Sequence, residues 1–146
     1  MRIGWLANGL TDLASPTKLY AGYVQKMEAV FVELPPFERH RASYLNDQDF
    51  RLLQLLLMKD PFAGDAIKGT GGLRKLRFAD PQRHKGKRSG IRVIYYFWLP
   101  GYQFWLFTVY GKDVQDDLTD SQRKALRTML EREYLSRTNH APQPVH

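Results

Sequence analysis

Cysteine is missing from all 146 residues, which excludes disulfides and thiolate metal sites and makes an intracellular protein the simplest reading. Any metal would need the 4 His or the 15 Asp and Glu as ligands. No apolar run approaches the roughly 20 residues that a membrane-spanning helix requires, so no membrane partner is expected. The opening "MRIGWLANGL" has one Arg and an apolar stretch broken by Gly and Asn, a poor secretory signal, and the expected location is the cytoplasm. Residues 1–26 lack sustained periodicity of either 2 or 3.6, so they are expected to form a loosely packed extension, with Met27 as an alternative start. Internal repeats are also lacking, and one domain over residues 27–135 is expected, followed by a frayed tail over 136–146 that ends in "APQPVH".

What is present suits a folded domain with a charged surface. A hydrophobic share of 43% is enough for one core, and 22 Lys and Arg against 15 Asp and Glu leave a net charge of +7, which makes a polyanionic partner plausible. "AVFVELP" at Ala29–Pro35 is β-branched and aromatic and reads as a strand, after which Pro36 suits the first turn of a helix through "FERHRASYL". Asn46 is placed to cap a second helix whose apolar side is Phe50, Leu53, Leu56 and Leu57. "GLRKLRF", "GIRVIYYFWL" and "YQFWLFTVY" read as three consecutive strands, the last two joined at Pro100-Gly101. Thr119 and Gln122 have capping-box spacing, and Ala125, Leu126, Met129 and Leu130 give a final helix one apolar face. The fold class that follows is α+β: a curved antiparallel sheet with two N-terminal helices and a C-terminal helix packed on one of its faces.

The stretch "IKGTGGLRKLRF" contains Gly69, Gly71 and Gly72 but fails as a nucleotide-binding loop. Such a loop needs a buried strand before it and a helix after it, so that amides and the helix N-terminus aim at phosphate; here strand alternation follows instead. The glycines read as a turn. Between Lys68 and Arg92 there are nine Lys or Arg and a single acid, Asp80. In the loop "ADPQRHKGKRSG", Arg83, His84, Lys85, Lys87 and Arg88 have a plain reading as a solvated tip and a functional one as contacts to nucleic acid. On the strands, residues two apart share a face, so Lys75 and Arg77 project together and Leu76 and Phe78 turn to the core. By the same parity Arg92, Ile94 and Tyr96 share a face, as do Thr108, Tyr110 and Lys112. If these faces coincide, Lys75, Arg77, Arg92, Tyr96, Tyr110 and Lys112 form one concave surface, and aromatics among cations suit single-stranded RNA. Tyr95 and Tyr96 also have a plain reading as ordinary strand aromatics. Asp113, Asp116 and Asp117 lack the Gly and Glu offsets of a cation-binding loop and read as helix-start electrostatics, so no metal or other cofactor is expected.

From Ala29 to Leu130 the chain resembles the RelE/ParE superfamily of bacterial toxins, most closely its HigB-type branch. "DPFAGDAIKGTGGLRKLRF", "GKRSGIRVIYYFW" and "VYGKDVQDDLTDSQRKAL" carry the likeness, each weak alone and specific as an ordered set. The resemblance implies the toxin of a type II toxin-antitoxin module that enters the A site of the 70S ribosome and cuts mRNA there. It would be neutralised by a cognate antitoxin and bind operator DNA only together with it. The chemistry implied is metal-free: the RNA 2′-OH attacks the adjacent phosphate, leaving a 2′,3′-cyclic phosphate and a 5′-OH end.

By that resemblance Lys75 and Arg77 are the basic pair of the second strand, Arg92 is the strand arginine that grips the scissile phosphate, and Tyr110 and Lys112 end the fourth strand among the catalytic residues. Arg74, Arg83, His84, Lys85, Lys87, Arg88 and Tyr96 are the expected RNA contacts. Two departures leave the general acid unassigned: Asp113 stands where the family has an arginine after "YGK", and a C-terminal catalytic tyrosine is missing. Lys75, set among cations, is the candidate base, with His84 as the alternative. The Leu-rich helix has two readings, as core and as antitoxin surface. Two other functions fit the same residues: a ParE-like toxin that poisons gyrase without nuclease activity, and a non-catalytic nucleic-acid-binding module.

Overall fold

The computed structural model describes residues 2–3 and 28–139, so most of the N-terminal extension and the segment 140–146 lie outside the described residues. A strand β1 (Arg2–Ile3) pairs antiparallel with β2 (Val30–Glu33). Two helices follow, α1 (Pro35–Tyr44) and α2 (Asp47–Lys59), then β3 (Asp65–Ala66), β4 (Arg74–Phe78), β5 (Ile91–Trp98), β6 (Gln103–Gly111) and α3 (Asp120–Asn139). The sheet order is β1-β2-β6-β5-β4-β3. All joints are antiparallel except β2 against β6, which is parallel, because α1 and α2 carry the chain from one edge of the sheet to the other before β4 begins.

Local signals act as their chemistry predicts. Asn46 Oδ1 accepts from the Asp49 amide at 2.7 Å and starts α2. Thr119 and Gln122 bond reciprocally, Gln122 N to Thr119 Oγ1 at 3.1 Å and Thr119 N to Gln122 Oε1 at 2.9 Å, and start α3. Pro100 and Gly101 lie in a short 3-10 turn over Leu99–Gly101, and Tyr102 returns the chain in the left-handed region at φ 48°. Gly72 has φ +124°, and a Cβ there would come within 3.1 Å of the Tyr96 ring, so this glycine lets the loop lie flat on β5.

Helices cover both faces of the sheet, which corrects the expectation of a single helical face. Phe37 of α1 and Phe50, Leu53, Leu57 and Met58 of α2 pack with Ile91, Val93, Tyr95 and Phe97 of β5. Leu126 and Leu130 of α3 pack with Ile94 and Tyr96, the residues of opposite parity. The reason is visible in β5 and β6, whose runs "IRVIYYFW" and "QFWLFTVYG" are apolar on both parities and would leave one face wet if helices packed only on the other. Stacked rings centre the first layer, with Phe31 to Phe104 at 4.9 Å and Phe97 to Phe104 at 4.7 Å between centroids; each buried ring contributes about 2–3 kcal/mol. A bulge between Ile94 and Tyr95 shifts the β5–β6 register: Ile94 pairs with Thr108 but Tyr95 pairs with Leu106, leaving Phe107 as the extra residue and adding twist.

Candidate nucleic-acid interface

The register of β4, β5 and β6 lays the expected residues out in rows. Arg77 pairs with Arg92, and Arg92 pairs with Tyr110, so these three make one row across the α3 face of the sheet. Lys75, Ile94 and Thr108 form the next row. Lys112 lies just past Tyr110, its amide bonded to the Gly90 carbonyl at 3.0 Å. Lys75, Arg77, Arg92, Tyr110 and Lys112 therefore gather at one end of one face. Tyr96 shares the face but not the place. It sits a row beyond Ile94, opposite Trp105 and with its ring 5.2 Å from the indole, and it lines a cavity under α3 with Leu130 and Tyr134. The single concave surface expected from parity is thus divided by Ile94, which is fully buried against α3.

Within the cluster the side chains have different freedom. Arg77 is exposed and has no hydrogen bond or ion pair to any described residue. Arg92 is 3% exposed, and its guanidinium donates to the carbonyls of Lys87 at 2.9 Å, Arg88 at 2.8 Å and Ile91 at 3.2 Å. The resemblance gives Arg92 a grip on the scissile phosphate; here its guanidinium is engaged by backbone carbonyls and anchors the loop that precedes β5. Burial, and then the neighbouring Arg77, lower its pKa from the ordinary value. Tyr110 is 9% exposed, and its hydroxyl has no partner among the described residues. Burial first, and then the Asp117 carboxylate, push its phenol up to about 12, so it is a neutral donor at physiological pH.

The acids after β6 meet the cations one by one. Asp113 pairs with Lys85 at 3.2 Å, Asp116 with Lys112 at 3.9 Å, and Asp117 with Lys75 at 3.5 Å and with Arg123 of α3 at 3.3 Å. Among the described residues no group of three His, Asp or Glu is arranged to hold a metal ion. Asp117 also accepts the Leu118 amide at 2.8 Å, ahead of the first turn of α3; that bond leads the causes that lower its pKa, with Lys75 and Arg123 adding to it. The Lys85 hydrogen bond leads in lowering that of Asp113. The setting of Lys75 differs from the all-cation one behind its expected role as base, since its nearest charged partner is a carboxylate.

The remaining expected contacts separate. Arg74 lies on the opposite face from Lys75, donating to the carbonyls of Gly64 at 2.7 Å and Ala63 at 3.5 Å. Arg83 is held by Asp80 at 3.0 Å and the Ser43 carbonyl at 2.9 Å, over the Tyr44 ring. His84 is exposed at the loop tip in the left-handed region, φ 55°. Lys85, Arg88, Ser89, Lys112 and Asp113 line a depression of about 390 Å³ beside the cluster, and Lys87 is exposed next to it. Tyr95 is core, with its hydroxyl donating to the Ala63 carbonyl at 2.6 Å and reaching that of Pro61 at 3.1 Å. Sequence reasoning missed Arg123. Its only signal was a basic residue one helical turn after an acid-rich start, too common a pattern to single it out.

Such a face can hold polyanions and stabilise negative charge through Lys75, Arg77 and Lys112, and can offer a neutral phenol as a proton donor. No known protein-family profile matches the chain. Among solved structures it is similar to that of the E. coli toxin RelE, a double arginine-to-alanine mutant in the free state, at 10% sequence identity and a TM-score of 0.45, over 68% of this chain and 94% of that one. At that identity and score the likeness bears on neither activity nor substrate.

Proposed function

We propose that this protein is a toxin of the RelE/ParE superfamily, HigB branch, acting as a ribosome-dependent endoribonuclease of a type II toxin-antitoxin module. The observation that carries the proposal is the row Arg77–Arg92–Tyr110, flanked by Lys75 and Lys112, at one end of one sheet face. The motif resemblance described above, carried by the same strands, supports it. In this reading the 2′-OH of an mRNA nucleotide in the ribosomal A site gives up its proton to solvent as it attacks its own 3′ phosphate, closing a 2′,3′-cyclic phosphate and expelling the 5′-oxygen of the next nucleotide, which takes up a proton to leave as a 5′-OH. Arg77, Lys75 and Lys112 hold the phosphorane-like charge, a contribution worth roughly 100- to 1,000-fold in rate for each fixed donor. The Tyr110 phenol donates to the phosphate or the leaving oxygen. Arg92 keeps the carbonyls of Lys87 and Arg88, and with them the cationic loop, against the strand end. The proposed partners are a cognate antitoxin, the 70S ribosome with its mRNA and, in complex with the antitoxin, operator DNA.

The test is brief expression followed by mapping of mRNA ends on translating ribosomes, comparing the native chain with Arg77→Ala. New ends within codons that vanish in the variant are expected. Growth arrest with gyrase-dependent loss of supercoiling and no new ends would indicate the ParE-like reading instead, and RNA binding without either effect would indicate a non-catalytic module.

A further inference from the structure

We propose that the Asp117 carboxylate occupies an anion subsite formed by Lys75 of β4, Arg123 of α3 and the Tyr110 hydroxyl of β6, and that an RNA backbone phosphate displaces it. The proposal rests on the ribonuclease reading for the identity of the anion, and it adds Arg123 to the residues that touch substrate.

Three elements distant in sequence converge here. Asp117 Oδ1 receives Lys75 Nζ at 3.5 Å and the Leu118 amide at 2.8 Å, while Oδ2 receives Arg123 Nη2 at 3.3 Å. Both cation contacts are longer than the roughly 2.7–2.9 Å usual for charge-assisted bonds, so the carboxylate satisfies its neighbours loosely. Two donors carried by the elements that meet here are left over. The Tyr110 hydroxyl and Arg123 Nε are buried atoms with no partner among the described residues. The Tyr110 ring is nine-tenths buried, and its phenol responds electrostatically to Asp117 and Arg123. The planar carboxylate takes Lys75 and the Leu118 amide on Oδ1 and Arg123 Nη2 on Oδ2, and from that position bonds neither the Tyr110 hydroxyl nor Arg123 Nε. A tetrahedral phosphodiester offers non-bridging and ester oxygens in different directions, and so has acceptors for the donors that Asp117 leaves unmet. The Asp117 side chain is half exposed and lies in a segment of turns and bends, so no core packing opposes its replacement.

The probe is a fluorescent 2′-O-methyl oligouridylate of about ten nucleotides, which cannot be cut because the attacking hydroxyl is blocked. Its binding to the full chain is followed by anisotropy across a series of salt concentrations. Asp117→Asn keeps an acceptor for the Leu118 amide and removes the competing charge; it should tighten binding about fivefold and steepen the salt dependence by about 0.7 in log–log slope, one further single-strand phosphate contact. Arg123→Gln should weaken binding about fivefold and erase the gain when combined with Asp117→Asn. Glu38→Gln on α1, which alters net charge equally, should change little. Thermal unfolding checks that each variant is folded. The inference is overturned if Asp117→Asn binds with unchanged affinity and slope, or if its gain survives Arg123→Gln. If the native chain binds the probe and cuts mRNA on ribosomes while these results fail, the subsite alone is wrong; if it neither binds nor cuts, the ribonuclease reading falls with it.

Discussion

Arg77 and Arg92 are direct cross-strand partners on one face of the sheet, yet one guanidinium stands in solvent and the other is 3% exposed and bonded to three backbone carbonyls. Two like charges so placed are mutually unfavourable. The fold tolerates them because Arg92 is satisfied internally while Arg77 keeps its hydration. This difference separates residues that hold the face together from residues available to a ligand.

Substitutions at the two arginines should therefore part company. Arg92→Ala leaves the carbonyls of Lys87 and Arg88 without their donor and should cost about 2–3 kcal/mol of stability in urea unfolding. Arg77→Ala should stay within about 0.5 kcal/mol of the native chain while lowering mRNA cleavage roughly 100- to 1,000-fold. Equal destabilisation by the two would contradict the hydrogen bonding described for Arg92.

Tyr110→Phe removes a buried hydroxyl that has no partner among the described residues. Stability should hold or rise by up to about 1 kcal/mol, since a desolvated, unbonded hydroxyl is unfavourable in the fold. Cleavage should fall by at least about tenfold if the phenol donates to the reacting phosphate. A thermal midpoint that drops clearly would mean that the hydroxyl is bonded after all.

Alkaline pH should unfold the protein through its tyrosines. Burial pushes Tyr95 up to about 12, as it does Tyr110, against an ordinary value of 10.0. Unfolded tyrosine ionises first as pH rises, so these groups contribute stability that is fully present below pH 10 and is lost between about pH 10 and 12, on the order of 2–3 kcal/mol for each. Phenolate absorbance and circular dichroism should therefore change together. The loss should be smaller in Tyr95→Phe, measured against that variant's own stability at neutral pH.

Gly64, just before β3, lies against the backbone of β4. Its φ is +85°, and a Cβ would collide with the Lys75 backbone carbonyl. Gly64→Ala should cost more than about 2 kcal/mol and move β4, and with it Lys75 and Arg77. Gly69→Ala, at φ +82° with open space around it, should cost about 1 kcal/mol from backbone strain alone. Urea titrations of the two variants distinguish steric from purely conformational cost.

Much of the chain was legible before folding because local chemistry decides it. The Asn46 cap and the Thr119–Gln122 box act within one helical turn, and the Pro100-Gly101 turn joins neighbouring strands. Strand parity placed Lys75 with Arg77 and Arg92 with Tyr96, since alternation is a property of the extended backbone itself. Other features depend on partners distant in sequence. The spread of "IRVIYYFW" across both parities held the sign of a sheet covered on two sides, but which helix covers which side depends on the topology. Arg74 looked like a further RNA contact until the chain brought the Ala63 and Gly64 carbonyls beneath it.

By itself, then, the sequence determined the α+β class, the caps, the hairpin and the concentration of cations between Lys68 and Arg92, all of which follow from backbone geometry and residue type at short range. Tertiary structure alone decided which of those cations are available. Burial turned Arg92 into an internal anchor, the second helical layer set Tyr96 apart from Arg77, and the return of the chain after β6 placed Asp117 and Arg123 beside Lys75. The physical reason is that charge is local to a residue, whereas desolvation and ion pairing depend on what the rest of the fold brings against it.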